Sequence, residues 1–172
     1  NLEKYEVSRS IRYRDNSIFD AFKKISKDFS FLDRHYRSKK TIIEFSNKKF
    51  YDNKLKIMRD SEDSENIKLV NVLGRTEYSR IGSKSAYNRI EIKAIMECLY
   101  NLRRDNYLGS IGIITPFRSQ KDFIEEAINS MEDKFYSNID VGTVHTFQGH
   151  EKDLIIFSSV VSRGSKNGSV MW

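Results

Sequence analysis

The sequence predicts a doubly wound α/β domain, a mostly parallel sheet with helices on both faces. Two observations carry this. Segments with helical spacing alternate with short apolar strands, which implies crossover connections and parallel pairing. The runs IGII at 111–114 and LIIF at 154–157 are apolar throughout, as strands covered on both faces are. A length of 172 residues suits one domain with a real core. Ligands of such sheets bind at the carboxyl ends of the strands. The loops after Ile114, Val144 and Val161 are therefore the places to look for chemistry.

The first helix falls within NSIFDAFKKISKDFSFL, residues 16–32. Ile18, Phe19, Phe22, Ile25 and Phe29 recur there at steps of three and four, and Asn16 or Ser17 is placed to cap it. A second helix is predicted over 39–50, with Ile42, Ile43, Phe45 and Phe50 turned inward. MRDSEDSEN at 58–66 reads as a polar loop with a small acidic cluster. IKLVNVL from Ile67 reads as a strand, and residues 74–85 as an irregular stretch. The third helix opens on Asn88-Arg-Ile-Glu91, a short polar cap with a carboxylate three residues on. Ile90, Ala94, Cys98 and Leu102 then step by four, and Ile92, Ile95, Met96 and Leu99 widen the apolar face. Cys98 thus reads as core rather than as a reactive thiol. SIGIITPF is a short strand ended by the only proline, Pro116. The fourth helix is predicted over 119–131, with Phe123, Ile124, Ala127, Ile128 and Met131 on one face and Ser119 available as its cap. Strands follow in IDVGTVHTF and DLIIFSSVV.

Composition narrows the class. Hydrophobic residues make up 38% and charged residues 31%, the balance of a polar globular chain. No run of eighteen apolar residues suggests a membrane span. The segment NLEKYEVSRSIRYRD has no apolar stretch of the kind a secretory signal needs. The single cysteine excludes an intrachain disulfide and fits a reducing, cytoplasmic setting. The net charge of +6 is unevenly placed: residues 1–60 hold 16 Lys+Arg against 9 Asp+Glu, and the rest hold 14 against 15. A basic lobe on a balanced chain suits a polyanionic partner such as nucleic acid. The plainer alternative is a solvated lysine-rich face.

Three short stretches can carry chemistry. In ITPFRSQ, residues 114–120, Thr115, Pro116, Phe117 and Arg118 sit at a strand-to-helix junction, where free N–H groups favour a phosphate and Arg118 adds a forked donor. In LDRHYRSKK, residues 32–40, Arg37 precedes a helix, a position where the helix dipole disfavours a cation. That conflict suggests an anionic partner from elsewhere, against the plainer reading of an ordinary surface arginine. In VGTVHTFQGHEKDLIIF, residues 141–157, strand alternation puts Val141, Thr143, His145 and Phe147 on one side. Gln148-Gly149 permits a tight turn. Glu151 can accept two hydroxyl donors, as from a ribose. Asp153 reads as a turn anchor.

These stretches carry a resemblance. TVHTFQGHEKD resembles motif V of superfamily 1 helicases, its Phe-Gln-Gly-x-Glu-Lys-Asp part being similar to the 1B branch that includes the nonsense-mediated-decay RNA helicase. ITPFRSQ resembles the "IGIITPY…Q" element of that branch. LDRHYRS with IIEFSNKKFY resembles its "L…QYR" and "FSN..FY" pair, and Asn88-Arg-x-Glu91 its "NR.E" element. Four elements in family order cover residues 32–162, most of the chain.

The resemblance implies a RecA-like fold of the phosphate-loop NTPase type, and the second of two such domains. Residues 1–172 would form that one domain, with 1–15 as linker from the first. No G-x-x-x-x-G-K-S/T loop and no Asp-Glu magnesium motif occur here, so the chain is expected to be a fragment cut at both ends and inactive alone. Carried over, Arg37 matches the arginine that reaches the γ-phosphate. Tyr36, Gln148, Gly149 and Glu151 fall on the nucleotide side, with Glu151 at the ribose. Thr115, Pro116, Phe117, Arg118, Thr143 and His145 fall on the nucleic-acid side. ATP and Mg²⁺ would serve the full-length protein, with single-stranded DNA or RNA and the first RecA-like domain as partners. His35 and His150 depart from the family pattern, which has Gln or Asn and Arg there. The competing readings are a non-catalytic nucleic-acid-binding α/β module and a Rossmann-type enzyme. The second lacks its G-x-G-x-x-G.

Overall fold

The computed structural model describes residues 12, 16–26, 28, 30–59, 66–79 and 85–162. Phe29, the acidic cluster of the 58–66 loop, the middle of the 74–85 stretch and nearly all of the 1–15 segment lie outside the described residues. The chain divides into two compact units, Asn1–Leu69 and Val70–Trp172.

In the first unit, α1 (Ile18–Ile25) starts where the sequence suggests. The Ser17 hydroxyl accepts from the Asp20 N–H at 3.1 Å, and the Asp20 carboxylate accepts from the Ser17 N–H at 3.2 Å. That closed capping box satisfies two terminal donors, and its hydrogen bonds hold the Asp20 carboxyl below the usual carboxylate range. The apolar side is not buried: Ile18, Phe19, Phe22 and Ile25 are all exposed. Helical spacing dictates that these residues share a side, not that anything covers it.

A parallel pair, β1 (Arg34–His35) and β2 (Lys56–Ile57), brackets α2 (Lys40–Phe50). The inward prediction fails for Ile42, Phe45 and Phe50, which are exposed, while Ile43 is half-buried and the buried residue of α2 is Asn47. Its side chain donates to the Leu55 carbonyl at 3.1 Å and accepts from the Leu55 N–H at 3.0 Å. A polar residue is buried because it closes the turn through Asp52 and Asn53, both at positive φ.

The second unit is built on a three-stranded parallel sheet in the order β6 (Ile139–Thr143), β5 (Ile111–Thr115), β7 (Leu154–Phe157). The helix α4 (Arg118–Asn129) carries the chain from β5 to β6, and residues 144–153 bring it back past β5 to β7. β5 is therefore where the winding reverses. Alternation turns Ile111 and Ile113 to one face, where they pack with Ile95 and Leu99 of α3 (Arg89–Arg104), Ile124 and Ile128 of α4, and Tyr136. Leu99, Ile113 and Ile124 are fully buried, each contributing about 1.5–3 kcal/mol.

The other face is covered by the 144–153 connection. A Cβ on Gly112 would stand 2.6 Å from a Phe147 ring carbon, and one on Gly142 would stand 2.8 Å from that ring. The two glycines on neighbouring strands thus make the seat into which Phe147 folds. Beyond that seat, Ile155 and Phe157 remain 44% and 60% exposed.

Several expectations are corrected in this unit. Cys98 is exposed, not core, and Ile90 is 45% exposed. At 3.6 residues per turn each step of four rotates the row by about 40°. The row therefore starts away from the core at Ile90 and reaches it only at Leu102, while the core face runs through Ile92, Ile95, Met96, Leu99 and Leu102. IKLVNVL forms no strand: Leu69 and Leu73 are 91% and 95% exposed. Apolar character supplies a face, but a strand also needs a hydrogen-bonded neighbour. The pairing found nearby is antiparallel, β3 (Glu77–Tyr78) inside the predicted irregular stretch with β4 (Ala86–Tyr87) just after it. α4 begins at Arg118 behind Phe117, which makes no side-chain cap, and Ser119 is buried instead of capping.

Candidate functional site

The carboxyl edge of the sheet begins with two threonines side by side, since Thr115 pairs with Thr143 in the parallel register. Thr115 is fully buried, and its hydroxyl accepts from the Phe117 N–H at 3.4 Å. Its side chain shapes the turn, which leaves Pro116 and Phe117 half-buried and Arg118 exposed.

β6 ends at Thr143, so the alternation predicted to carry His145 and Phe147 onto its side stops there. The Thr143 carbonyl explains the stop. It accepts from the N–H groups of Thr146 at 3.0 Å and Phe147 at 3.3 Å, and from the Thr146 hydroxyl at 2.8 Å. The Gln148 N–H reaches the His145 carbonyl and the His150 N–H reaches the Phe147 carbonyl. These nested turns close on Gly149, whose φ of 90° lies in the region that favours glycine.

Both ends of the loop are tied to the sheet. Thr143 and the Phe147 seat hold the first end. At the other, Lys152 pairs with Asp140, and Asp153 accepts from the Ser110 N–H at 2.7 Å and hydroxyl at 2.6 Å. Those bonds keep the Asp153 carboxyl below its ordinary range, with Ser110 as the cause. Asp153 is thus the anchor its position suggests. Between the ties, His145, Gln148, Gly149, His150 and Glu151 are all exposed. The His150 ring meets Phe147 edge-on, with centroids 6.3 Å apart.

Tyr36 and Arg37 belong to the first unit, and both are exposed. The bend that carries them is fixed locally. His35 accepts from the Ser38 N–H through Nε2 at 2.8 Å, and Arg59 donates to the Arg37 carbonyl at 2.5 Å. This accounts for His35, because its ring nitrogen offers the acceptor that a Gln or Asn carbonyl would offer.

Four residues of the second unit were not predicted as site residues and sit together. Asn88, Gln120 and Ser158 are buried, and Glu91 is half-buried beside them. The Asn88 N–H donates to Gln120 Oε1 at 2.8 Å. Gln120 Nε2 donates to the Ser158 hydroxyl at 2.9 Å, and that hydroxyl donates to Glu91 Oε2 at 2.6 Å. The capping box expected at α3 is only half made: Asn88 Oδ1 caps Ile90 and Glu91, while the Glu91 carboxylate accepts from the Asn88 side chain, Ser158 and Val160 instead of from the Asn88 N–H. A signal for Gln120 exists in the sequence, since it lies four and eight residues before the core residues Ile124 and Ile128. A polar residue on an apolar stripe must find buried partners.

The AAA domain family covers residues 14–171. The chain belongs to this family. Helicase sen1 of Schizosaccharomyces pombe is 33% identical over 181 residues, covering 92% of this AAA domain chain and 10% of that protein. The DNA polymerase alpha-associated DNA helicase A of Saccharomyces cerevisiae is 31% identical, over 86% of this chain and 26% of that protein. ATP-dependent helicase upf1 of Schizosaccharomyces pombe is 37% identical over 93 residues, 52% of this chain and 10% of that protein. The superfamily 1 helicase resemblance and the α/β RecA-like class are thereby borne out for this AAA domain chain. It spans between a tenth and about a quarter of the length of these relatives. Among the described residues no helix is long and apolar enough to cross a membrane.

Proposed function

We propose that the chain is the second RecA-like domain of a longer ATP-dependent superfamily 1 helicase. The observation that supports this most is the loop 144–151: it stands at the carboxyl edge of the sheet, is tied at both ends, and holds Gln148 and Glu151 exposed. In this reading Glu151 accepts from the ribose hydroxyls, and Gln148-Gly149 couples the nucleotide to the strand. Tyr36 is a nucleotide-side residue, and Arg37 serves as the arginine finger. Its guanidinium stabilises charge on the phosphoryl group in transfer, where such residues contribute most. Single-stranded DNA or RNA is held by Thr143, His145 and the turn of Pro116, Phe117 and Arg118, with Thr115 anchoring that turn. The first RecA-like domain is the partner that brings the phosphate loop, so these 172 residues alone turn over no ATP.

Mg²⁺ would accompany the nucleotide phosphates. Among the described residues no three His, Cys, Asp or Glu side chains converge on a possible metal position, so none of the residues here is assigned to it. ATP hydrolysis by the intact protein, stimulated by single-stranded nucleic acid, tests the reading. Arg37→Ala is expected to lower kcat by about 10³-fold while leaving strand binding in place. Near-normal turnover in that variant removes Arg37 from the role.

A further inference from the structure

The cluster of Asn88, Glu91, Gln120 and Ser158 is too costly to be plain filler. Burying polar groups costs free energy unless each is paired, and apolar residues of the same size would serve stability as well. Every member here is paired. Glu91 Oε2 accepts both the Ser158 hydroxyl at 2.6 Å and the Val160 N–H at 3.0 Å, and Oε1 accepts from Asn88 Nδ2 at 3.3 Å. One carboxylate thus ties the start of α3 to the chain leaving β7, and Gln120 ties the same point to the start of α4.

What the cluster holds is strained. Val160 is fully buried at φ 66°, a region that a β-branched residue adopts only under constraint. Both of its backbone polar groups are gripped. Glu91 takes the N–H, and the Thr76 hydroxyl donates to the carbonyl at 2.8 Å. Thr76 grips the next turn as well, where its Oγ1 accepts from the Ser162 N–H at 3.1 Å and its own N–H donates to the Ser162 hydroxyl at 2.8 Å. The Ser158 N–H donates to the Ile114 carbonyl at 2.9 Å, one residue before Thr115. Residues 158–162 are therefore pinned beside the carboxyl end of β5, at the edge where a doubly wound sheet receives its ligand.

We propose that Glu91, with Ser158 and Thr76, is a positioning device: it holds the β7 exit in its strained turn so that this exit and the Pro116–Phe117–Arg118 turn form one surface for a single nucleic-acid strand. None of the three touches the strand. The proposal rests on the helicase reading. Glu91→Gln keeps the shape but places an amide N–H₂ group where either the Ser158 and Val160 donors or the Asn88 Nδ2 donor must meet it. Thr76→Val keeps the shape of that side chain and removes its hydroxyl, and Thr76→Ser keeps the hydroxyl.

The test is nucleic-acid-stimulated ATP hydrolysis by the intact protein, titrated with oligothymidylate and with oligouridylate, beside thermal unfolding of each variant. Glu91→Gln and Thr76→Val should each raise the half-saturating strand concentration about tenfold, the worth of one such bond. Turnover at saturating strand and unstimulated hydrolysis should stay within about twofold of the parent, and Thr76→Ser should behave as the parent. A lower melting temperature with unchanged half-saturation in both variants overturns the positioning role, as does equal loss in Thr76→Ser and Thr76→Val. If Glu91→Gln does not fold, the Thr76 pair decides by the same criterion. If the parent protein itself shows no strand-stimulated hydrolysis with either oligonucleotide, the helicase reading fails, and the positioning role fails with it.

Discussion

In the loop 144–151 the backbone closes on itself, and the side chains of His145 and Gln148 stand exposed. In the cluster around Asn88 the side chains close on one another and on backbone groups, and Asn88, Gln120 and Ser158 are nearly inaccessible. Both regions are polar, and both lie in the second unit. The difference separates two uses of polar chemistry. A polar side chain that the fold does not consume is available to a ligand, and replacing it changes binding more than stability. A polar side chain consumed by the fold sets geometry, and replacing it leaves a buried donor or acceptor unmet.

The sharpest way to break this comparison is a pair of alanine substitutions read by denaturant unfolding. Asn88→Ala removes the cap of α3, worth about 1 kcal/mol, and leaves the Glu91 carboxylate short of a donor, worth at least as much again. A loss of about 2 kcal/mol or more is expected. Gln148→Ala should stay within about 0.5 kcal/mol, as exposed substitutions do. Equal losses in the two variants would mean that the loop is consumed by the fold after all.

A smaller effect tests how the loop is seated. Gly112→Ala puts a methyl group 2.6 Å from a Phe147 ring carbon and 2.9 Å from Ile155 Cδ1. The first is a ring wedged between two strands, so the cost should be about 1–3 kcal/mol, as overpacking generally is. Proteolysis should then cut faster within residues 144–151. An unchanged cleavage rate at this loop would show that Phe147 does not hold it.

How far the sequence foretold all this depends on what each residue needed from its neighbours. β5 is plain because the apolar run 111–114, set between Gly109 and Pro116, has few other fates. α3 and α4 were plain because their apolar periods are long. The end of β6 was not, since Thr143-Val-His-Thr-Phe alternates as a strand does. Only the three hydrogen bonds taken by the Thr143 carbonyl turn the chain there. IKLVNVL failed for the same kind of reason, because pairing is a property of two segments and the pattern describes one. The exposed residues of α1 and α2 show that amphipathic spacing does not name the surface it meets. At the site, the loop residues are legible through their resemblance to motif V. Asn88, Glu91 and Gln120 stood in the same motifs, but their part was hidden because burial of a polar side chain is decided by partners up to 69 positions away.

The weakest expected effect concerns the last tie of the loop. The two Ser110 donors favour the ionised form of Asp153, so its pKa is lower folded than unfolded. A depressed carboxyl contributes stability that is fully present above the unfolded value, about 3.9. That contribution fades as pH falls through the lower folded value. At neutral pH the tie is therefore complete, and it opens only in acid. The Ser110 amide resonance, followed by NMR on descending pH, should titrate with a midpoint below about 3.9, and Asp153→Asn should abolish that titration. Asn keeps a carbonyl for the Ser110 donors, so the loop should stay closed in that variant at every pH above acid unfolding. A midpoint at or above the ordinary carboxyl value would mean that Ser110 does not favour the charge. The far end of the loop would then be held by Lys152 and Asp140 instead, a tie that salt weakens.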